Sequence, residues 1–287
     1  MKLSIETGIF EQRFGIDKAL RMLKDAGFEH IDYSFYHPDV TETLARDDYR
    51  DYFVRLRALI DSCGLKVTQA HAPFRLTYFE ERKLSEPKYL EIVRSIEAAA
   101  ILGAPHIISH ALYVPLDTDD DPDEVNYDYY TGLIPYCKQF GIRIGFENIF
   151  HYDAKRRQFR ELYGDPKRFN ALLDRLDPAY FIACADLGHA AMVGNEPEDF
   201  VRRVSEGRLH ALHVQDGDYL DDRHILPYLG KYDWGKIMTA LKARNYTGDL
   251  SFETFKFFQG LPDRAFAPAL LLARTIGDEL IEQFDRA

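Results

Sequence analysis

Cysteine is scarce in this chain, and the few cysteines are far apart. The 287 residues include only Cys63, Cys137 and Cys184, an odd number without a Cys-x-x-Cys pair. A disulfide framework and a zinc ribbon both need organised cysteine pairs, so this spacing argues against each of them. The sequence therefore favours a reduced, intracellular compartment, and we expect a cytoplasmic protein.

Long apolar runs and basic runs are also missing. No stretch approaches the ~18 consecutive apolar residues of a membrane-spanning helix, and the N-terminal MKLSIETGIF lacks the apolar core of a secretory signal. The 36 Lys and Arg residues are outnumbered by 47 Asp and Glu residues, which gives a net charge of −11. Such a negative field repels the phosphate backbone of nucleic acids. We therefore expect neither a membrane nor a nucleic acid as partner.

What the sequence does have is the composition of one large globular domain. Hydrophobic residues make up 46% and charged residues 29% of the chain. A chain of this length can bury an extensive core without a disulfide or a structural metal. No linker or low-complexity tract interrupts it, so residues 1–287 are predicted to form a single domain.

Eight short apolar runs alternate with eight longer amphipathic stretches. The runs, predicted to be strands, are Leu3–Glu6, His30–Phe35, Lys66–His71, His106–His110, Ile142–Glu147, Phe181–Asp186, Leu209–His213 and Asp249–Thr254. The predicted helices are Ile16–Ala26, Tyr49–Cys63, Pro87–Leu102, Asn126–Phe140, Pro166–Leu176, Pro197–Val204, Trp234–Arg244 and Pro268–Phe284. Strict alternation predicts a parallel sheet with right-handed crossovers, and eight units most naturally close into a (β/α)8 TIM barrel. An open, doubly wound sheet is the alternative, but no glycine-rich phosphate loop follows the first predicted strand.

Glycine stands at five of the predicted junctions between a helix and the next strand. These residues are Gly27, Gly64, Gly103, Gly141 and Gly248. A helix that ends in the left-handed conformation prefers glycine at that point, because glycine has no Cβ. The repetition supports the predicted boundaries and predicts left-handed helix ends at all five positions.

Polar side chains of the types that bind metals occupy the ends of six consecutive predicted strands. They are His71, His110, Glu147, Asp186, His213 and Glu253. In a parallel barrel the carboxyl ends of all strands open on one mouth, so residues far apart in sequence meet there. Burying several carboxylates together is costly unless a cation compensates their charge. The pattern predicts a divalent cation, and Mn²⁺, Mg²⁺, Co²⁺ and Zn²⁺ all accept mixed carboxylate and imidazole ligands.

The longest irregular segments also follow predicted strands. They are Tyr36–Asp48, Tyr113–Asp123 and Tyr219–Asp233, and a barrel would place all three at the mouth. Near them stand the aromatic residues Phe74, Phe150 and Trp234. Each has two interpretations, as a cover for the apolar face of a sugar or as part of the core. The core is favoured for Trp234, which begins a predicted helix.

Several segments resemble the sugar isomerase/epimerase superfamily of xylose-isomerase-like barrels, which includes ketose 3-epimerases, inosose dehydratases and zinc-dependent abasic-site endonucleases. The similar segments are GFENI at 145–149, CADLGHA at 184–190, HALHVQD at 210–216, DRHILPYLGKYDW at 222–234 and LSFET at 250–254. The resemblance spans nearly the whole chain. It implies a divalent metal, with Mn²⁺ as the expected ion, held by Glu147, Asp186, His213 and Glu253.

The resemblance also implies a reaction and the residues that perform it. In the epimerases two metal-binding glutamates form the acid/base pair, and here these are Glu147 and Glu253. The candidates for binding substrate hydroxyl groups are His71, His110, His189, Arg223 and His224. We therefore expect a metal-dependent isomerase or epimerase that acts on a ketose or sugar phosphate, by proton transfer through a metal-stabilised enediolate.

The same residues leave other functions open. A dehydratase or lyase acting on a keto-polyol or an oxidised glycoside would use the same metal and base. The three-zinc site of the abasic-site endonucleases has further ligands, which would align with His71, His110, His189, Asp222 and His224. Against an endonuclease stand the net charge and the lack of basic, aromatic-interleaved loops. The non-enzymatic alternative is an inert sugar-binding barrel, and the sequence is compatible with a homo-oligomer.

Overall fold

Parallel strands form the centre of the protein. The structure, a computed structural model, describes residues 1–73, 86–114, 118–153 and 158–287. The strands in these ranges are β1 Leu3–Glu6, β2 His30–Ser34, β3 Lys66–His71, β4 His106–Ser109, β5 Arg143–Glu147, β6 Phe150–Asp153, β7 Gln158–Glu161, β8 Phe181–Asp186, β9 Leu209–His213 and β10 Leu250–Phe252. Eight of them form one sheet, in the order β10-β1-β2-β3-β4-β5-β8-β9, and β6 pairs separately with β7 as an antiparallel hairpin.

The sheet curves into a barrel that is nearly closed. Neighbouring strands are parallel throughout, as strict alternation with helices requires. The two end strands, β9 and β10, meet through a parallel bridge between Val214 and Phe252. Two backbone hydrogen bonds accompany this bridge, from Val214 N–H to the oxygen of Ser251 at 2.8 Å and from Glu253 N–H to the oxygen of Val214 at 3.0 Å. The predicted (β/α)8 TIM barrel is confirmed.

All eight predicted helices are present, and the described ranges contain four short helices in addition. The helices are α1 Gly8–Phe14, α2 Ile16–Asp25, α3 Pro38–Ala45, α4 Tyr49–Ser62, α5 Pro87–Leu102, α6 Pro122–Phe140, α7 Pro166–Leu173, α8 Leu187–Met192, α9 Pro197–Arg203, α10 Trp234–Ala243, α11 Phe255–Gln259 and α12 Asp263–Arg286. The additions α1, α3, α8 and α11 each follow a barrel strand, so they lie on the mouth side. The last helix begins at Asp263 and includes Pro268, which was predicted to begin it.

Four of the five glycines predicted to be left-handed have a positive φ, and the prediction for Gly248 is wrong. Gly27, Gly64, Gly103 and Gly141 have φ of +91°, +67°, +88° and +67°. After α10 the positive φ, +51°, belongs to Asn245. Gly248 is needed for close packing instead, because a Cβ there would collide with the side chain of Tyr246 and the backbone oxygen of His210.

The interior of the barrel is partly polar. Ile108, Ile182, Cys184 and Ala211 form a small apolar cluster. Beside it the buried carboxylate of Asp32 accepts hydrogen bonds from Gln69 at 2.5 Å and from Ser251 at 3.1 Å. Since a buried carboxylate is costly without partners, these bonds hold Asp32 in one orientation.

The main core lies between the barrel and its surrounding helices. Trp234, at the start of α10, belongs to it, as predicted. Its indole N–H donates a hydrogen bond to Asp216 at 2.9 Å, so the ring is buried in the core while its polar group keeps a hydrogen-bond partner. Among the described residues, no helix combines the length and the apolar character that crossing a membrane requires.

Candidate active site

Three carboxylates and one imidazole meet at the mouth of the barrel. Glu147 and Asp186 end β5 and β8, His213 ends β9, and Glu253 follows β10 directly. One possible ligand atom from each lies within 4.8 Å of those from the other three, and all four residues are buried. The structure thus brings together the four residues for which the resemblance implied a metal. We call them the primary cluster.

Local hydrogen bonds fix the members of the primary cluster. Nδ1 of His213 lies 2.8 Å from Oε1 of Glu147 and 3.6 Å from Oε2 of Glu253. Asp186 is the N-cap of α8 and accepts the backbone N–H of His189 at 2.6 Å. The side chain of Asn148 bonds both the N–H and the carbonyl of Asp186, at 2.7 and 2.8 Å. Asp186 is therefore held by Asn148 and His189, while His213 is held by the two glutamates of the cluster.

The donor set fits a divalent cation. Oε2 of Glu253 is buried and has no hydrogen-bond partner within the described part of the chain. It faces Nδ1 of His213, the nitrogen that also faces Glu147. Three carboxylates around one imidazole carry an excess of negative charge, and oxygen donors with one nitrogen suit Mn²⁺, Mg²⁺ or Zn²⁺. A cation in the centre would satisfy the buried oxygen and compensate the charge.

The two glutamates of the cluster have different environments. Burial disfavours ionisation of Glu147, but His213 and His110 outweigh it and hold the pKa of that carboxyl well below its usual range. Burial raises the pKa of Glu253 to about 7, with the neighbouring carboxylates adding to the effect and His213 opposing it. Burial also disfavours a charged His213, yet the carboxylates around it raise its pKa well above the usual range. The paired glutamates are therefore suited to opposite protonation states.

Beside the primary cluster lies a group formed by His189, Asp222 and His224, whose possible ligand atoms are also within 4.8 Å of one another. Nε2 of His224 is 2.9 Å from Asp222, and its Nδ1 is 2.9 Å from the carbonyl oxygen of Glu253. Burial disfavours protonation of His189, but Asp186 and Glu147 raise its pKa to about 10.

The amide of Gln215 joins these two groups. Its nitrogen lies 3.1 and 3.2 Å from the two carboxylate oxygens of Asp186 and 3.3 Å from Asp222. Its oxygen accepts the backbone N–H of His224 at 2.9 Å. One buried amide thus fixes the position of the loop residues Asp222 and His224 relative to Asp186 of the primary cluster.

A third group consists of His71, His110 and Glu147, again with possible ligand atoms within 4.8 Å. Nε2 of His110 is 2.9 Å and Nε2 of His71 is 3.6 Å from Oε2 of Glu147. The ring of His71 stacks on that of His213 at a centroid distance of 5.2 Å. All the residues that would align with the additional endonuclease ligands therefore surround the primary cluster.

Four of the five residues predicted to bind substrate lie next to the primary cluster, and one does not. His71, His110, His189 and His224 are in the groups described above. The guanidinium of Arg223 pairs with Asp218 at 2.7 Å, and its side chain is 49% exposed. The surface ion pair holds it outside the cavity lining. Phe74, another predicted mouth residue, lies outside the described residues.

Several polar residues of the region were not predicted from the sequence. Glu6 ends β1, and Ser34, Tyr36 and the backbone N–H of Gly8 donate to its carboxylate. Asp32 lies within β2, and a carboxylate in the middle of the predicted strand His30–Phe35 was the available signal. For Glu6 the signal was its place at the end of the first strand.

A cavity of about 230 Å³ opens above the primary cluster. Polar and aromatic side chains share its lining, which consists of His110, Ile149, Phe150, His189, Asp222, His224, Glu253 and Phe255. Glu253 is thus the member of the primary cluster that contributes to the wall. A small polar molecule in the cavity would meet two carboxylates, three imidazoles and two aromatic rings.

Known structures share this architecture. A D-tagatose 3-epimerase-like protein superimposes with a TM-score of 0.78 at 18% identity, covering 100% of this chain and 99% of its own. An L-ribulose 3-epimerase gives 0.72 at 18% identity, with 99% and 96% covered. The IolI protein, whose crystal structure contains a zinc atom, gives 0.74 at 15% identity, with 99% of each chain covered. At these identities the likeness shows the fold.

Sequence comparison supplies the family. The uncharacterised protein y4fM of Sinorhizobium fredii is 24% identical over 266 residues, which cover 84% of this chain and 81% of the relative. The model of the xylose isomerase-like TIM barrel family matches residues 20–269. That range runs from α2 into α12 and includes every residue of the primary cluster. By fold and by sequence, then, this chain belongs to the xylose isomerase-like TIM barrel family.

Proposed function

We propose that this protein is a metal-dependent isomerase or epimerase of a ketose or a sugar derivative. The observation that carries the proposal is the primary cluster, Glu147, Asp186, His213 and Glu253, at the base of a cavity of small-molecule size. The epimerases among the similar structures and the zinc atom in IolI support it. We take residues 1–287 as one domain that acts in the cytoplasm on a small sugar or polyol.

The proposed chemistry begins with a divalent cation, which we expect to be Mn²⁺, on the four cluster residues. When bound, it supplies Lewis-acid polarisation of a carbonyl group and thereby acidifies the neighbouring C–H bond. The chain's own contribution is to orient the sugar and to carry the proton. His110, His189 and His224 line the cavity and would hold its hydroxyl groups.

Glu147 and Glu253 are the proposed proton carriers. They come from β5 and from the end of β10, which are separated in the barrel by β8 and β9, so they can approach a bound sugar from different sides. Glu253 contributes to the cavity wall, so its carboxylate can take a proton from a bound sugar and return it. The ionised state of Glu147 suits it as the partner base.

Exchange of substrate C–H hydrogen for solvent deuterium tests this proposal. The Mn²⁺-loaded protein should label a ketose, ketose phosphate or keto-inositol next to its carbonyl, as measured by mass spectrometry. Glu147→Gln and Glu253→Gln keep an oxygen atom of similar shape, and each should lower the exchange rate by ~10² to 10⁴. Glu29→Gln, at an exposed pair with Lys2, is the control and should leave it unchanged. Exchange that survives in both cluster variants would contradict these roles.

A second candidate is phosphodiester cleavage at abasic sites by a three-zinc centre. The specific observation in its favour is that three further three-residue groups adjoin or overlap the primary cluster. The net charge of −11 opposes it, since DNA binding depends on neutralising phosphates. Elemental analysis separates the two candidates, because we expect one tightly held ion per chain and an endonuclease would hold three. Salt-resistant nicking of abasic duplex at catalytic protein concentrations would reverse our choice.

Elimination from a keto-polyol or an oxidised glycoside would use the same metal and base. Product analysis distinguishes this lyase or dehydratase reaction from isomerisation, because elimination releases water or an alcohol while isomerisation conserves mass. A protein that binds sugars without exchange or product formation would instead be the inert barrel.

A further inference from the structure

A lysine contacts the group of possible metal ligands formed by His189, Asp222 and His224, which we call the Asp222 group. Nζ of Lys256 is 3.3 Å from Oδ2 of Asp222 and also donates to the backbone oxygen of the same residue. Lys256 is the second residue of α11, and the N–H of the next residue, Phe257, donates to the backbone oxygen of His224 at 3.2 Å. The helix therefore holds the lysine against Asp222.

The carboxylate of Asp222 already has three donors. Its Oδ2 lies 2.9 Å from Nε2 of His224 and 3.3 Å from Nζ of Lys256, and its Oδ1 lies 3.3 Å from the amide nitrogen of Gln215. The Asp222 group and its lysine thus set one carboxylate against two imidazoles and an ammonium. A divalent ion bound there would have to replace these hydrogen bonds, and it would meet the repulsion of a positive charge that is already in place.

The primary cluster has the opposite balance of charge. It contains three carboxylates and one imidazole, and Oε2 of Glu253 is buried without a hydrogen-bond partner in the described ranges. Within that part of the chain its carboxylates form ion pairs with histidines, and none pairs with a lysine or an arginine. A cation is therefore favoured in the primary cluster and disfavoured in the Asp222 group, although both offer ligand atoms at a suitable spacing.

The side chains of the Asp222 group also line the cavity above the primary cluster. In the proposed function His189 and His224 hold hydroxyl groups of the sugar, and an ion bound to them would occupy the nitrogen atoms that this requires. A second ion is also what a multi-metal cleavage of a phosphodiester needs. The number of ions at the mouth therefore decides which of the two candidate reactions is possible there.

Resting on the proposed function, we propose that Lys256 is a specificity-determining residue that excludes a second metal ion from the Asp222 group. Its ammonium compensates the carboxylate in place of an ion and leaves His189 and His224 available to a sugar. Lys256 follows Glu253 of the primary cluster by three residues. One short segment after β10 thus supplies a ligand to the first ion and a charge that keeps a second one out.

Zinc titration of the metal-free protein tests this exclusion. Equilibrium dialysis at a Zn²⁺ concentration that saturates the primary cluster, followed by elemental analysis, should show one more ion per chain in Lys256→Met than in wild type. Loss of the ammonium should tighten zinc binding by the Asp222 group about 100-fold, a value that allows for the partial exposure of the lysine. Lys256→Arg keeps the charge and should have the wild-type stoichiometry. The control Lys236→Met removes an exposed lysine that pairs with Asp233 at 3.2 Å, and it should also match wild type.

A second substitution identifies the place of the additional ion. Combining His224→Ala with Lys256→Met should remove the extra ion, whereas His224→Ala alone should keep the wild-type stoichiometry. Circular dichroism checks the fold of each variant, and Lys256→Gln gives the same loss of charge if Lys256→Met does not fold. Equal stoichiometries in wild type and in the folded charge-loss variant, or an ion in the wild-type protein that His224→Ala removes, would overturn the proposal.

Solvent exchange separates this inference from the proposed function. Exchange by the wild-type protein that fails in Lys256→Met only when the additional ion is bound supports both. A zinc stoichiometry that depends on Lys256, in a protein that exchanges no hydrogen of any sugar tested, supports the exclusion and contradicts the isomerase. Exchange by the wild-type protein together with equal stoichiometries supports the isomerase and contradicts the exclusion.

Discussion

Oδ2 of Asp32 lies 3.6 Å from Nε2 of His213, on the side of the imidazole ring away from the primary cluster. The other ring nitrogen, Nδ1, faces Glu147 and Glu253. Gln69 and Ser251 hold the Asp32 carboxylate from within the barrel. A carboxylate behind a metal-binding histidine orients the ring and increases its basicity, so Asp32 is placed to set the affinity of the cluster for a cation.

We expect Asp32→Asn to weaken metal binding by about 10- to 100-fold, the usual effect of losing such a partner. The dissociation constant for Mn²⁺ can be measured by competition with a chelating dye, and circular dichroism checks the fold. The control is Asp249→Asn. Asp249 directly precedes β10, and its carboxylate lies 2.6 Å from the imidazole of His30, so this variant also removes a carboxylate from a histidine. Equal affinities in all three proteins would remove Asp32 from this role.

Removal of the metal should abolish exchange activity and leave the barrel folded. The core consists of apolar contacts between strands and helices that involve no cluster residue, unlike a zinc finger, whose folding depends on its metal. After treatment with EDTA the far-ultraviolet circular dichroism should be unchanged, while the melting temperature falls by the amount that ligand binding had added. Loss of helical signal on chelation would show that the metal is structural.

Glu11 should make the stability of the protein depend on pH. Burial raises the pKa of this glutamate from 4.5 to about 7, so the folded state keeps a proton that the unfolded chain has released. The stabilising contribution is complete below about pH 4.5 and is lost as the pH rises through about 7. Relative to wild type, Glu11→Gln should therefore gain on the order of 2 kcal/mol in unfolding free energy between pH 5 and pH 8.

Urea unfolding at the two pH values measures that difference. Glu29→Gln, whose wild-type carboxylate is exposed beside Lys2, should show no comparable change between them. A Glu11→Gln variant whose stability relative to wild type is the same at both pH values would show that Glu11 is ionised in the folded protein.

Gly248→Ala should destabilise the protein by about 1 to 3 kcal/mol, the usual cost of overpacking. The added Cβ would collide with the backbone oxygen of His210, which cannot move as a flexible side chain can. Gly260→Ala is the matched control, because a Cβ there meets nothing within 4 Å and its φ is −86°. Chemical denaturation of the two variants compares them directly, and equal stabilities would contradict the close contact at Gly248.

The sequence was sufficient for the barrel and for the primary cluster because both follow from periodic rules. Strands and helices alternate strictly, and the ends of parallel strands share one mouth, so ligands at those ends had to converge. The four additional helices and the β6–β7 hairpin lie in connections after strands, where no periodic pattern constrains the backbone. The local geometry of such connections decides which side chains reach the cavity. Arg223, in the connection between β9 and α10, is an example, because it pairs with Asp218 at the surface and does not line the cavity.

Residues that act through other residues were harder to predict. Gln215 follows the cluster residue His213 by two positions and bonds Asp186, 29 residues away, and Asp222, seven residues away. Asp216 accepts the indole N–H of Trp234 at 2.9 Å and so ties the loop to the core. Neither contact has a spacing rule, because each depends on how a long irregular loop packs.

The single bridge between β9 and β10 has a mechanical consequence. These two strands share less backbone pairing than the other neighbouring strands of the barrel, and His213 and Glu253 lie one on each of the two chain segments that meet there. A cation bound to both residues would hold β9 and β10 together. When the cation is released, local opening of the barrel should begin between these two strands. The amide protons of Val214 and Glu253 form the hydrogen bonds between these two segments. Their hydrogen-exchange rates should therefore rise more than those of the other barrel strands when the metal is removed.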